Sequence, residues 1–274
     1  MPVFLRYFPV IVGLMLFAGF AHAQTDTDNP WAKFEIAVGG FLTTTNTDVQ
    51  VNSSTGLGVN FDVENVLGVE TSKQTYRIDA SYRFGETRRN EIEVHYFNNK
   101  RDGNKTLDED LTIGDVTFTA GTGVSTEVKL AFFNVDYVYN VLMDDRVRLG
   151  LSAGLHTTGI KLNVAEIGGS QVENEDLTAP LPMLGVRLDV VLAKHWKMKT
   201  YINLFYLEYD SYTGRLADTF VGVEYAPWKH VGLGLGVNAI NYYLDADSDS
   251  GTVDLNGSIE FQLTGLAFYA KYFF

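Results

Sequence analysis

The sequence predicts an all-β fold: a transmembrane, antiparallel, up-and-down β-barrel of about ten strands that follows a cleaved N-terminal signal peptide. Apolar and polar residues alternate with a period of two along most of the chain, which is typical of strands with two different faces. No stretch after the N-terminus has the ~20 apolar residues of a spanning helix. A chain of this kind can cross a membrane only as a closed barrel, because lipid cannot satisfy the edge of an open sheet.

The N-terminus has the pattern of a secretory signal. Residue Arg6 precedes an apolar run over 7–20, and Ala21-His22-Ala23 forms a small-residue cleavage site. The run is too short for a spanning helix, although an N-terminal membrane anchor is the alternative. We therefore expect a signal peptide over 1–23, a short segment over 24–31 and the barrel domain over 32–274.

Composition limits the partners of the chain. There is no Cys, so no disulfide staples the fold, and the 13% aromatic content is high for a soluble domain. A formal net charge of −13 makes nucleic acid an unfavourable partner. No motif points to a cofactor.

Ten segments alternate over the length that a tilted strand needs to cross a bilayer, ~9–11 residues. They are 32–46, 73–84, 90–101, 125–142, 146–164, 178–193, 197–210, 213–226, 231–245 and 255–274. Short turns are expected at 85–89, 143–145, 194–196 and 227–230, and the longer connections at 49–72, 102–124, 165–177 and 246–254. Residues 104–110 and 115–121 are interpreted as strand extensions above the membrane. The half-apolar segment 59–69 is interpreted as a lid over the barrel mouth.

The last strand carries the most specific pattern. Its outward face presents Leu266, Phe268, Ala270, Tyr272 and Phe274. A chain that stops on an aromatic residue after such an alternation resembles the C-terminal signal of bacterial outer-membrane β-barrel proteins, and the run NFDVEN-LG resembles a segment of small uncharacterised proteobacterial barrels.

The resemblance implies an outer-membrane location, lipid and lipopolysaccharide as surroundings, and recognition of the last strand by the barrel-assembly machinery. Barrels of this family keep short turns in the periplasm and long loops outside, so both termini, including the 24–31 segment, are expected to be periplasmic. All three tryptophans, Trp31, Trp196 and Trp228, fall at the ends with the short turns, as expected for interfacial rings.

Strand alternation also predicts which side chains face the lumen. The charged members of this predicted lumen network are Arg77, Asp79, Arg83, Glu91, Glu93, His95, Asp136, Arg148, Arg187, Asp189, Lys199, Glu224 and Lys271. Both signs are present in similar number. We interpret them as a packed ion-pair network that plugs the lower lumen, since buried charges persist only when paired. The alternative is a narrow channel that these residues line.

Signs of chemistry are weak. Some outer-membrane barrels are proteases or lipid A-modifying enzymes, but Ser152 and His156 are ~13 Å apart along one strand, too far for an activated nucleophile. Alternating Asp245, Asp247 and Asp249 suit Ca²⁺, although a solvated acidic loop is the plainer interpretation. The sequence therefore favours a non-enzymatic structural or surface-interaction role, with porin-like passage of small solutes as the alternative.

Overall fold

A computed structural model describes residues 30–52, 60–209, 212–246 and 257–274. The signal-peptide region and residues 24–29 lie outside these ranges. The elements, in chain order, are β1 (Phe34–Val51), β2 (Phe61–Asp62), α1 (Val63–Leu67), β3 (Ser72–Phe84), β4 (Asn90–Thr106), β5 (Leu111–Ile113), β6 (Val116–Phe118), β7 (Gly123–Met143), β8 (Val147–Glu166), β9 (Val172–Ala193), β10 (Trp196–Tyr209), β11 (Tyr212–Tyr225), β12 (Val231–Ala246) and β13 (Gly257–Phe273). The helix in the described part of the chain is too short to span a membrane.

Ten of these strands form a closed antiparallel barrel, which confirms the predicted fold class. Each barrel strand pairs with the next one along the chain, and β1 pairs with β13 from Glu35↔Phe273 to Val51↔Gly257. The terminal residue continues this closure, because Phe34 and Phe274 exchange two backbone hydrogen bonds of 2.9 and 3.1 Å. Closure leaves no edge along the seam between first and last strands, as a membrane requires.

Several strands are longer than the sequence indicated. β7 has 21 residues and β9 has 22, about twice the length that crossing a bilayer needs. The expected long connection over 165–177 is wrong: β8 and β9 take up most of it and leave residues 167–171 as a tight turn. The expected extension of 104–110 holds only as far as Thr106, and a separate hairpin of β5 and β6 follows it.

The face of the barrel wall that carries the apolar side chains changes part of the way along the strands. In the half near the short turns, β7 exposes Phe133, Val135, Tyr137 and Tyr139 and buries Asn134, Asp136 and Asn140. In the other half the same strand buries Val124, Val128, Leu130 and Phe132 and turns Ser125, Glu127 and Lys129 outward. The first half therefore suits a lipid environment, and the second has the polar exterior and apolar core of a water-soluble barrel.

A folded segment fills the mouth of this apolar half. β2 pairs with β1, and Asp62 caps α1 by accepting a 2.7 Å hydrogen bond from the backbone N–H of Asn65. The helix ends at Gly68, whose φ of 67° is in the left-handed region that glycine tolerates. The segment buries Phe61, Val63, Leu67 and Val69 in the core.

Candidate functional site

The interior of the barrel is closed at the end with the short turns by Trp31. Its ring is 3% exposed, and its Nε1 donates a 2.6 Å hydrogen bond to the carbonyl oxygen of Asp144. The guanidinium of Arg148 and the ammonium of Lys197 lie 6.0 and 5.4 Å from the ring centroid. Trp31 is thus a plug inside the mouth, so its expected position among the interfacial rings is wrong. Trp196 and Trp228 are exposed at this end.

Arg148 joins three strands just above this plug. It forms ion pairs with Glu91 and, at 2.6 Å, with Asp189, and it lies 3.8 Å from Glu93. Arg83 adds 2.8 Å ion pairs to Glu91 and to Glu35 of β1. Glu35, Glu91 and Glu93 are each shared between cations from different strands. Removing one group therefore leaves others without a partner.

Arg187 is the centre of the next cluster. Its guanidinium donates to Glu93 at 2.7 Å, to Asp136 at 2.9 Å and to Asn203 at 2.6 Å. Each of its three nitrogens therefore donates a hydrogen bond, and the central carbon of the guanidinium lies 5.1 Å from the ring centroid of Tyr201. This residue ties β4, β7 and β10 to β9 through the lumen.

Arg77 forms the cluster nearest to the apolar half. It donates to Asp79 at 2.9 Å, to the hydroxyl of Tyr201 at 2.9 Å and to Asn238 at 2.6 Å. His95 lies between two carboxylates, with Nδ1 at 2.6 Å from Asp79 and Nε2 at 3.7 Å from Glu93.

Lys271 completes the network on the last strand. Its ammonium pairs with Glu224 and, at 3.0 Å, with Glu35, and Tyr269 donates a 3.0 Å hydrogen bond to Glu224. Lys199 lines a small cavity instead, near several of these carboxylates. The structure therefore brings all thirteen residues of the predicted lumen network into one half of the barrel interior.

The charges of this half are nearly balanced. The described cations are Arg77, Arg83, Arg148, Arg187, Lys197, Lys199 and Lys271, and the described carboxylates are Glu35, Asp79, Glu91, Glu93, Asp136, Asp189, Asp218 and Glu224. Such a near balance of the two signs is what a buried network needs in order to avoid a large uncompensated charge.

The cavity within the network is small. It has about 20 Å³ for the centres of water-sized molecules and is lined by both signs of charge, including Lys199, His95 and Glu224. That is room for about one or two waters.

One group in the network has the residue types of a metal site. Ligand atoms of Glu93, His95 and Asp136 lie within 4.8 Å of one another. The guanidinium of Arg187 donates to both carboxylates, however, and supplies the positive charge that a cation would bring. These residues do not fit a metal without displacement of Arg187.

The pairing of Ser152 and His156 that an enzyme would use is not formed. His156 is buried beside Phe132, with ring centroids 5.8 Å apart, and neither of its nitrogens has a hydrogen-bond partner in the described structure. The hydroxyl of Ser152 also has none. Of the three aspartates, Asp245 is the last residue but one of β12 and accepts a 3.2 Å hydrogen bond from Tyr243, whereas Asp247 and Asp249 lie outside the described residues.

The predicted assembly signal lies on the outer face of β13. Leu266, Phe268, Ala270, Tyr272 and Phe274 all point away from the lumen and are exposed. The backbone of the first four pairs with β1 on one side and β12 on the other, and that of Phe274 bonds to Phe34. Their recognition by the assembly machinery stays a prediction.

Two features of the interior escaped the sequence analysis. One is the apolar upper lumen, whose aromatic layer stacks Phe97 on Phe132 at 4.4 Å and Tyr242 on Phe261 at 4.8 Å. The other is a buried ion pair in the outer mouth, between Glu64 of α1 and Arg101 of β4. The apolar upper lumen could have been predicted from the sequence. Most apolar residues of β7 occupy even-numbered positions up to Phe132 and odd-numbered positions from Phe133 onward.

The fold is that of bacterial outer-membrane β-barrels. The outer-membrane protease OmpT of Escherichia coli superposes with a TM-score of 0.60 at 10% identity, covering 92% of this chain and 98% of OmpT. Ail of Yersinia pestis (TM-score 0.37, 10% identity, 88% and 99% covered) and the neisserial surface protein NspA (0.33, 17%, 87% and 99%) also match.

Sequence comparison adds no closer relative. No protein-family model matches the chain, and no curated protein is significantly similar to it. The similarity to OmpT at this identity concerns the fold, which supports an outer-membrane location and leaves the activity to be argued from the interior.

Proposed function

We propose that the chain is a non-enzymatic integral outer-membrane protein with a closed lumen, which serves as a structural or surface-interaction scaffold. The observation that carries this proposal is the interior network, in which Arg77, Arg83, Arg148 and Arg187 are buried and each is paired with carboxylates. Side chains, rather than a water column, fill the half of the barrel that would lie in lipid.

The second layer of the lumen supports the same proposal. Above the network the core is apolar, and the segment with α1 occupies its mouth. A hydrated ion would have to displace both layers, whereas water-filled lumens belong to barrels of ~16 strands. Slow passage of small solutes is the alternative function, and the small polar cavity beside Lys199 is the observation that favours it.

We place the short turns and both ends of the chain in the periplasm, and the polar extensions of β4, β7 and β8 outside the cell. Barrels of this fold keep their short turns periplasmic. In this orientation the lipopolysaccharide leaflet surrounds the upper part of the apolar band, and the aromatic face of β13 is available to the barrel-assembly machinery.

The positions of the histidines support a non-enzymatic role. His195 and His230 lie at the short-turn end, where their Nδ1 atoms are 2.9 and 3.0 Å from backbone carbonyl oxygens. His95 and His156 are buried in the lumen. In the described chain, therefore, no histidine stands at the outer rim, where an external substrate would arrive.

Conductance in planar bilayers tests the closed lumen. The native protein should conduct near zero, and Arg187→Ala combined with Glu64→Ala should raise conductance, because the first change releases Glu93 and Asp136 from their shared cation and the second releases the α1 segment from the mouth. Lys129→Ala, which removes an exposed cation from the outer surface of β7, is the matched control and should change nothing. Steady conductance by the native protein, with only ion selectivity altered in Arg187→Ala, would establish the channel instead.

A further inference from the structure

The cations at the short-turn end of the barrel are unevenly distributed around the rim. The turn between β3 and β4 holds two arginines and one glutamate, and the turn between β7 and β8 holds one arginine and two aspartates. By contrast, the turns between β9 and β10 and between β11 and β12 hold Lys194, Lys229 and two histidines and no carboxylate. One side of the rim is therefore basic, although the whole chain has a formal net charge of −13.

The two basic turns are in contact with each other. The backbone N–H of Ala226 donates a 2.8 Å hydrogen bond to the carbonyl oxygen of His195, and Nδ1 of His195 lies 2.9 Å from the carbonyl oxygen of Ala226. The second turn is joined to the end of β13 by two further contacts of the same kind, at 2.9 and 3.0 Å. The turns therefore form one fixed surface, residues 194–196 with 225–230, which we call the basic rim patch.

Both lysines of the basic rim patch are exposed to solvent and unpaired. In the described chain, no carboxylate lies within ion-pair distance of the ammonium group of Lys194 or Lys229. The acidic residues closest to them in the sequence, Asp189 and Glu224, are buried in the lumen and are paired there with cations of the network. The two positive charges are thus available to an anion from outside the chain.

Aromatic rings place the basic rim patch at the membrane interface. Trp196 and Trp228 are 45% and 58% exposed, and Tyr225 lies against Trp196 with ring centroids 4.6 Å apart. Tryptophan and tyrosine concentrate at the level of lipid headgroups, where one part of the ring is in hydrocarbon and another is in water. Lys194 and Lys229 are within two residues of these tryptophans, so their flexible side chains reach the height of the lipid phosphates.

An apolar surface continues from the basic rim patch toward the middle of the membrane. Trp196 pairs with Tyr225, and the next outward pair along the same ladder is Met198 with Val223. Val223 is in turn the register partner of Leu235 on β12, and both side chains are exposed. An acyl chain that leaves a phosphate at the patch therefore meets apolar side chains in the direction of the hydrocarbon.

We propose that the basic rim patch binds the phosphate of an anionic glycerophospholipid of the periplasmic leaflet, with Lys194 and Lys229 on the headgroup and the acyl chains over Val223 and Leu235. An ammonium group binds phosphate as a compact point charge. A lysine beside a charged membrane surface strengthens binding by about fivefold. A zwitterionic lipid brings its own ammonium to the same place, so the patch selects a headgroup with net negative charge. The site rests on the proposed membrane insertion and orientation.

The tryptophans of the basic rim patch can report which lipid is bound. The full chain is folded into vesicles of equal phosphatidylglycerol and phosphatidylcholine, in which one lipid or the other carries bromine atoms near the headgroup that quench tryptophan fluorescence. Trp31 is buried inside the mouth and gives a constant background. Quenching of Trp196 and Trp228 should show a several-fold preference for phosphatidylglycerol. Both leaflets have the same composition, so the result does not depend on the orientation in the vesicle.

Variants of the two lysines test their part in the preference. The double substitution Lys194→Gln and Lys229→Gln should abolish it, and each single substitution should lower it. The matched control is Arg88→Gln with Lys129→Gln, which makes the same change of net charge on the other side of the rim and on the outer surface, and it should keep the preference. Equal quenching by both lipids in the native protein, or an unchanged preference in the double variant, would overturn the site.

Other occupants of the basic rim patch give different results. Loss of the preference in millimolar inorganic phosphate, but not in sodium chloride of the same ionic strength, would assign the patch to the free anion and overturn the lipid. Sedimentation with isolated peptidoglycan that the double variant loses, together with equal quenching by both lipids, would assign the patch to that polymer.

Failure of the site and failure of insertion are also distinguishable. Heat-modifiable gel mobility reports whether each variant has folded into the vesicles. A native protein that does not fold into them contradicts the proposed membrane function itself. A folded protein without lipid preference contradicts only the assignment of the basic rim patch.

Discussion

Arg148 shows at the residue scale how much of the interior depends on single side chains. It is fully buried and joins β4 to β9 through Glu91 and Asp189. Arg148→Ala should destabilise the barrel by ~3–5 kcal/mol, less if water enters, because both carboxylates remain buried. Urea unfolding in detergent micelles measures this.

The matched control for Arg148→Ala is Lys129→Ala, which should cost no more than ~0.5 kcal/mol because Lys129 is exposed. Equal losses in the two variants would show that the interior pairs contribute little to stability.

The turn between β7 and β8 gives a prediction about pH. The backbone N–H groups of Arg146 and Val147 donate 2.8 Å hydrogen bonds to Asp144 and hold the pKa of its carboxyl below its usual value. A depressed pKa stabilises the folded state above the pKa of the unfolded chain, ~3.9, and this contribution is lost as pH falls through the folded value. Asp144→Asn should therefore be less stable than the native protein at pH 7, by under ~1 kcal/mol for an exposed turn.

The difference between Asp144→Asn and the native protein should vanish once the pH falls below the lowered pKa of the folded Asp144 carboxyl, since both side chains are then neutral. Unfolding curves at a series of pH values give the comparison. A constant difference across that range would show that the charge of Asp144 is not what the turn uses.

At the scale of elements, the segment with α1 is held in the outer mouth by one buried ion pair. Glu64 pairs with Arg101 and accepts a 2.7 Å hydrogen bond from the backbone of Thr47, and Arg101 donates to the hydroxyl of Thr47 at 2.9 Å. Glu64→Ala should release the segment, because Arg101 is left buried without its carboxylate. Hydrogen exchange over residues 60–70 should then be faster by an order of magnitude or more, while exchange in β13 stays slow.

Glu70→Ala is the control for the release of α1, because the carboxylate of Glu70 is exposed and pairs only with Lys73 among the described residues. Equal exchange rates in both variants would mean that apolar burial alone holds the segment.

The sequence predicted the strands better than it predicted the two layers of side chains that fill the lumen. Ten strands and the inward phase of Arg77, Arg148 and Arg187 follow from alternation, because a strand has only two faces. Which face is apolar is a separate question, and it changes within β7 at Phe132–Phe133. Trp31 could not be placed from alternation because it precedes the first strand, and the partners of each arginine depend on register across the barrel, which local pattern does not determine.

The whole molecule offers a test of orientation. Epitope tags in 103–115 or 246–252 should be accessible to antibody on intact cells, because these ranges start at the outer ends of β4 and β12. Tags at 86–88 or at 144 should be accessible only after the outer membrane is permeabilised. The opposite pattern would invert the barrel and move the polar extensions of β4 and β7 into the periplasm.

The reversal of faces along the wall also determines how deep the barrel sits. Raising it by two residues along a strand, ~7 Å, would bring a ring of apolar side chains into water, at roughly 25 cal/mol per Å². Lowering it by the same amount would move a row of charge, Lys100, Lys129 and Lys161, which are register partners, toward hydrocarbon. Movement of the barrel along the membrane normal is therefore unfavourable in both directions. In a thicker or thinner bilayer the lipid has to stretch or compress around the protein, since the protein cannot slide to a new height.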